Sequence, residues 1–457
     1  MSGSAERVPG AVPPGTLRPV AALLAGVALA MAGNGPLTTL LSLRLEAADT
    51  ARLAIGTIMA AYFAGLTLGS LLAYRLVLQV GHIRTFAAFA SVLSATALAY
   101  PLLPHPLAWA ALRLAEGFCM AGVFICVESW LNDRSGPATR GKILAAYMIC
   151  LYLGQAAGQF LLGLGDGPGA FRVFILVSIL LSLSVLPVAL TRMTPPQLPE
   201  VASLSARRLY AASPLGVVGT VASGLVLGAI YPLGPVFARD AAGFDAAGTA
   251  LFMSVVISGG VLLQWPLGRL SDAFDRRLVT LATLAALTLA GAAVPLAAQH
   301  GQAALLGAAA LFGGFAFALY PLCVAHTNDH LPREERIAAS GGLVLAFSAG
   351  ATLGPRAASA AMSILGSAGL FAFTACIGAA GFLFGLWRLR VRGPVPSEQQ
   401  GPFLALPRTT PAAAALHPEV PPDAARGGRQ AEAEDGHLRR HATDGRPAKA
   451  GPDHAAA

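Results

Sequence analysis

The sequence predicts an all-α membrane protein of about twelve transmembrane helices, arranged as two pseudo-symmetric six-helix bundles. Three observations carry that expectation: a strongly apolar composition, a succession of long apolar runs, and an internal repeat. The chain is 55% hydrophobic and only 12% charged over 457 residues, whereas a soluble domain carries about 25% charged residues. It lacks the polar surface to cover itself in water, so lipid is part of its environment.

A membrane helix needs roughly 20 mainly apolar residues. On that criterion the spans fall at 17–43, 53–78, 84–103, 107–131, 143–165 and 170–192, then at 214–238, 248–270, 278–298, 302–326, 338–364 and 366–390. Residues 1–16 are polar and rich in Pro and Gly, and read as a cytoplasmic N-terminal tail. The polar interruption at 193–213 reads as a cytoplasmic linker between an N-terminal bundle at 17–192 and a C-terminal bundle at 214–390. From 391 to 457 Pro, Ala, Gly and charged residues dominate, which predicts a disordered cytoplasmic tail. Its His437 and His441 are expected to be solvated.

The net charge of +8 is spread over short segments between spans. No basic domain or aromatic-interleaved patch exists to hold nucleic acid. The inside loops include Arg75, Arg84, Arg134, Arg140, Lys142, Arg269, Arg276, Arg277 and Arg336. The outside loops hold only Arg44, Arg52, Arg172 and Arg239. That asymmetry predicts an inner-membrane protein with both termini cytoplasmic.

The repeat appears on shifting the sequence by about 196 residues. Asn132-Asp133 then falls on Asn328-Asp329, Arg140 on Arg336, and Pro36-Leu37 on Pro232-Leu233. Gly117 falls on Gly313, and Gly154 and Gly158 fall on Gly350 and Gly354, coincidences that weigh little in helices rich in Ala, Gly and Leu.

Charges inside spans mark candidate sites, because each costs several kcal/mol near the midplane unless paired or hydrated. The fourth span carries Arg113, Glu116 and Glu128 within one broad helical face. Arg113 and Glu116 are three apart, so they pair with each other. Lining a central cavity, Glu116 is a candidate proton carrier and Arg113 its modulator; a static packing pair is the alternative. Glu128 lies near the inner headgroups and reads as a gate partnering Arg75 or Arg140. Arg356 either meets an anionic solute group or anchors its helix at the interface.

Gly33-Asn34-Gly35-Pro36 and Tyr231-Pro232-Leu233-Gly234-Pro235 are expected to interrupt the first and seventh spans, offering Asn34 and Tyr231 to the cavity. Gln155 and Gln159, one turn apart, offer further hydrogen bonds.

Other chemistries find little support. The five cysteines lie in spans without a CxxC pair, so neither a disulfide framework nor a metal site is expected. Gly136 to Ile143 mimics a phosphate loop, but Ile143 stands where Mg²⁺ coordination needs Ser or Thr, and the loop joins two membrane helices. No cofactor is implied, and no catalytic set appears in the spans.

The loop Pro266-Leu267-Gly268-Arg269-Leu270-Ser271-Asp272-Ala273-Phe274-Asp275-Arg276-Arg277 resembles the G-x-L-x-D-x-x-x-R-[RK] loop of the major facilitator superfamily. Its first-half counterpart, Gly69 to Arg75 with Gly81 to Arg84, lacks the aspartate. Arg113 to Gly117 resembles the R-x-x-x-G pattern of proton-coupled members. Gly350 to Pro355 resembles a pattern that antiporters carry in the fifth span, where this chain has Gly154 to Gln159 and no proline.

The resemblance implies alternating access in a monomer that moves a small-molecule solute, with protons or another ion as the coupling species. It also implies a gate in which Asp272 faces the start of the fifth span near Ile143, with Arg276 and Arg277 holding that carboxylate or anionic lipid headgroups. A proton-driven multidrug-type efflux pump is the alternative, and a non-transporting sensor a remote one.

Overall fold

The computed structural model describes residues 20–416, apart from 137–138, 166–169, 192–203, 392, 394 and 397–399. The expected N-terminal tail, most of the linker, and His437 and His441 therefore lie outside the described residues.

Twelve helices among the described residues are long and apolar enough to cross a membrane. In the first half they are α1 (Ala21–Ala47), α2 (Arg52–Val80), α3 (His82–Leu102), α4 (Pro106–Asp133), α5 (Arg140–Gln159) and α6 (Ala170–Leu183, continued by Val185–Ala189). In the second half they are α7 (Pro214–Ala242), α8 (Ala246–Ala273), α9 (Arg276–Ala297), α10 (Gln302–Asn328), α11 (Arg336–Leu365) and α12 (Gly369–Val391).

Starts are written locally. The Ser213 hydroxyl accepts from the Gly216 N–H at 3.2 Å ahead of α7. The Asp245 carboxylate accepts from Gly248 at 2.7 Å ahead of α8. Both satisfy backbone donors that a helix start leaves unpaired. Burial alone would raise the Asp275 carboxyl ahead of α9, but hydrogen bonds and charge from Arg277 hold it below its ordinary value.

The interruptions expected in the first and seventh spans do not occur: α1 runs through Pro36, and α7 through Pro232 and Pro235. Without water to compete for the backbone, and with neighbouring helices on several sides, the lost hydrogen bond does not open the helix.

Packing obeys the repeat. In the first half α2 lies on α4 and α1 on α5; in the second, α8 lies on α10 and α7 on α11. Large apolar side chains that point away from these contacts, such as Leu262, Leu289 and Leu353, are exposed, as lipid-facing positions are. The repeated glycines, weighed lightly above, sit at the crossings. A Cβ on Gly117 would meet the Tyr62 carbonyl oxygen, and one on Gly313 the Val256 carbonyl oxygen. Small residues let membrane helices approach to backbone contact, where packing replaces the missing hydrophobic force.

The halves meet along α1–α7, α2–α11 and α5–α8, closing the face opposite the starts of α1 and α7. There Arg52 donates to Asp240 at 2.9 Å and to the Met362 carbonyl at 2.7 Å. Ser254 donates to the Ala156 carbonyl at 2.8 Å. The Arg52 and Asp240 side chains are 36% and 26% exposed, so their attraction is screened. Arg52→Ala is expected to change unfolding free energy in detergent by no more than about 1 kcal/mol. A loss several times larger would show that ionic pairing, and not the approach of α2 to α11, keeps this face shut.

Candidate functional site

Between the halves lies a cavity lined by α1, α2, α4, α5, α7 and α11. Asn34, Arg113, Gln155 and Tyr231, four of the residues singled out in the sequence, line it. The Asn34 amide donates to the Tyr62 hydroxyl at 3.2 Å. The Tyr231 hydroxyl donates to Gln155 Oε1 at 3.2 Å, linking α7 to α5 across the two halves.

Arg113 and Glu116 form the expected ion pair at 2.9 Å, each only 1% exposed. The geometry differs from expectation in one respect. Arg113 lines the cavity, resting 4.4 Å from the Tyr62 ring centroid and donating to Thr38 at 3.3 Å. Glu116 is not among the lining residues; its second oxygen accepts from the Tyr100 hydroxyl of α3 at 2.8 Å. One helical face is broad enough to point the guanidinium inward and the carboxylate toward the neighbouring helix. Gln159 also misses the cavity, accepting instead from Thr39 of α1 at 2.9 Å.

Glu128 is fully buried, but its partners are not the expected Arg75 and Arg140. It accepts from the Tyr147 hydroxyl at 2.9 Å and from the hydroxyls of Thr409 and Thr410. Arg75 is exposed, and Arg140 donates to Ser135 at 3.3 Å. Arg356 is exposed on α11, away from the cavity.

The threonines belong to a stretch the composition assigned to a disordered tail. Residues 401–413 instead pack into the protein: Leu406, Thr409, Thr410, Ala412 and Ala413 are buried, and the turn Pro411–Leu416 touches α4, α5 and α11. Pro407, Arg408 and Thr409 become part of the cavity wall. The Arg408 guanidinium carbon stands 4.6 Å from the Phe317 ring centroid, 5.6 Å from Phe347 and 5.7 Å from Tyr152. Arg408 also donates to the Tyr231 hydroxyl at 3.2 Å. The only sequence signal for this is the short run Phe403-Leu404-Ala405-Leu406 ahead of Arg408, diluted by the polar residues around it.

The motif loop after α8 fastens the same segment. Arg276 donates to both Asp329 oxygens at 2.8 and 2.7 Å, to Asp272 at 2.9 Å and to the Gly401 carbonyl at 2.8 Å. Asp272 accepts from the Phe403 N–H at 2.8 Å, and Asp329 from the Gly401 N–H at 3.1 Å. Burial pushes the Asp329 carboxyl above its ordinary value, against the pull of Arg276. The expected contact of Asp272 near Ile143 is thus replaced by one with the C-terminal segment. Arg277 serves Asp275, not Asp272. Asp329, which came to notice only through the repeat, completes the cluster.

Comparison with known proteins agrees with this architecture. The chain is 30% identical over 382 residues to an uncharacterized MFS-type transporter, YcaD, of Salmonella enteritidis PT4, and to its counterpart in Salmonella typhimurium. Both alignments cover 83% of this chain and 97% of the relative. Among solved structures, the nucleoside transporter NupG superposes with a TM-score of 0.67 at 13% identity, covering 81% of this chain and 99% of that one. A bacterial homologue of the human lysosomal transporter Spinster, in an inward-facing and occupied conformation, superposes with a TM-score of 0.67 at 14% identity, covering 86% and 99%. These likenesses are of fold alone. A family model described as Major Facilitator Superfamily matches residues 23–298 and again 216–420, so this multi-pass membrane protein belongs to the major facilitator superfamily of transporters.

Proposed function

We propose that this protein is a secondary active transporter that carries a small organic solute across a bacterial inner membrane by alternating access, coupled to protons. Both termini are cytoplasmic in this reading, so the Arg52 face is external and the Arg276 cluster lies on the cytoplasmic side. The observation that carries it is the buried Arg113–Glu116 pair with its guanidinium on the cavity wall. A solute that disturbs Arg113 disturbs the charge that pairs the neighbouring Glu116, so solute binding and the state of that carboxyl group are linked. The charge is costly to keep at this depth without such a use.

A second reading, proton-driven efflux of amphipathic compounds, draws on the cavity lining. Aromatic residues are 7% of the chain, yet Tyr62, Phe63, Phe124, Tyr152, Tyr231 and Phe347 all border the cavity.

The test is proton flux in sealed liposomes containing the purified protein, with a solute panel presented to wild type and Glu116→Gln. A solute-dependent flux that the substitution uncouples, with solute exchange retained, is the expected result. Unchanged coupling in Glu116→Gln would remove Glu116 as carrier. Absence of flux for every solute would remove proton coupling and favour a non-transporting sensor.

A further inference from the structure

The C-terminal segment does more than touch the cavity: it offers a cation to a set of groups suited to one. Tyr152 comes from α5, Tyr231 from α7, Phe317 from α10 and Phe347 from α11, so the cage is assembled from both halves. Ring faces attract cations within about 6 Å of their centroids, most strongly where water is excluded. No carboxylate among the described residues forms an ion pair with Arg408. The next two residues deliver hydroxyls to Glu128, a fully buried carboxylate.

With the segment withdrawn, this end of the cavity presents three aromatic faces, the Tyr231 hydroxyl and an acid. An anionic solute would face both the ring quadrupoles and Glu128, while Arg113, the one cation among the described lining residues outside the segment, is committed to Glu116. The segment fills the space well enough to leave about 100 Å³ beside it. It is also held at its start, where Arg276, Asp272 and Asp329 bind the backbone of Gly401 and Phe403.

We propose that residues 401–413 are a tethered stand-in for the solute, and that the cage around Arg408 is a subsite for an organic cation carrying a guanidinium or amine head. This rests on the transport reading above and names the substrate class of that same cavity. The segment and the solute compete for the cage, so the bound segment is self-inhibitory.

Calorimetric titration of the full chain in detergent tests the proposal, using benzylguanidine and its neutral near-isostere benzylurea as probes. Arg408→Gln vacates the cage while leaving the membrane helices untouched. Benzylguanidine is expected to bind this variant roughly tenfold more tightly than wild type, the scale of a desolvated cation–ring contact. Benzylurea is expected to be unaffected, and Arg408→Lys to behave as wild type. Adding Phe317→Leu to Arg408→Gln, which keeps apolar volume but removes the ring, is expected to cancel the gain.

Equal affinity in wild type and Arg408→Gln would overturn the stand-in. An equal gain for both probes would overturn the cationic substrate class. The transport reading fails separately: benzylguanidine that binds Arg408→Gln but never crosses a liposome membrane would sink it while leaving the subsite intact. Solute flux through wild type with no cation binding by any variant would do the reverse.

Discussion

Gly117→Ala is expected to destabilise the protein by about 3 kcal/mol, the upper end of what overpacking costs. The added methyl would stand against the Tyr62 carbonyl oxygen, with the Leu66 N–H behind it at 2.8 Å. Backbone atoms of a packed helix cannot rotate aside as a side chain does, so α2 and α4 must separate along their length. Gly313→Ala is expected to cost a similar amount, since its Cβ would meet the Val256 carbonyl oxygen in the symmetric crossing of α8 and α10. Gly307→Ala on α10 is the control, because a Cβ there meets nothing within 4 Å. It should be neutral or slightly stabilising, as replacing a glycine inside a helix usually is. The readout is the fraction of protein that stays monodisperse in detergent after heating. Equal losses at all three positions would sink the close-approach account, because helix propensity alone favours alanine at each of them.

Glu116→Ala is expected to cost about 3–5 kcal/mol, because it strands the Arg113 guanidinium at 1% exposure. Thr38 at 3.3 Å and the Tyr62 ring remain as partners, but neither neutralises the charge. Arg113→Met should cost a similar amount by stranding the carboxylate, with the Tyr100 hydroxyl its one remaining donor. The double variant Arg113→Met/Glu116→Leu is expected to recover most of that stability, since well-packed apolar residues often replace a buried pair without loss. Recovered folding with lost solute-dependent proton flux would separate the chemical role of the pair from its packing role. A double variant that still couples would show that the pair is only structural.

Much of this arrangement is legible in the sequence. Twelve spans follow from hydropathy, because a bilayer imposes one length on every crossing. Arg113 and Glu116 announce themselves as charges where charge is costly. The glycines were harder to weigh, since composition makes chance matches common and only the packed partner reveals what each one admits. Asp272 illustrates a different limit: its partner depends on which face of the molecule is closed, and a motif does not encode a state. Glu128 reads from the sequence as a gate near the inner headgroups, yet its threonine partners lie almost three hundred positions away, in a stretch whose average composition is that of a solvated tail. A window wide enough to judge disorder is too wide to see Phe403 to Arg408.

The attachment of the Arg408 segment to α12 has a kinetic consequence. Short linkers hold their cargo at a local concentration on the order of millimolar, whatever the concentration of free solute. Under the stand-in proposal, solute arriving from either face must displace this permanent rival before it can hold the cage. On that proposal the carrier stays idle at low solute and works only above a threshold set by the tether.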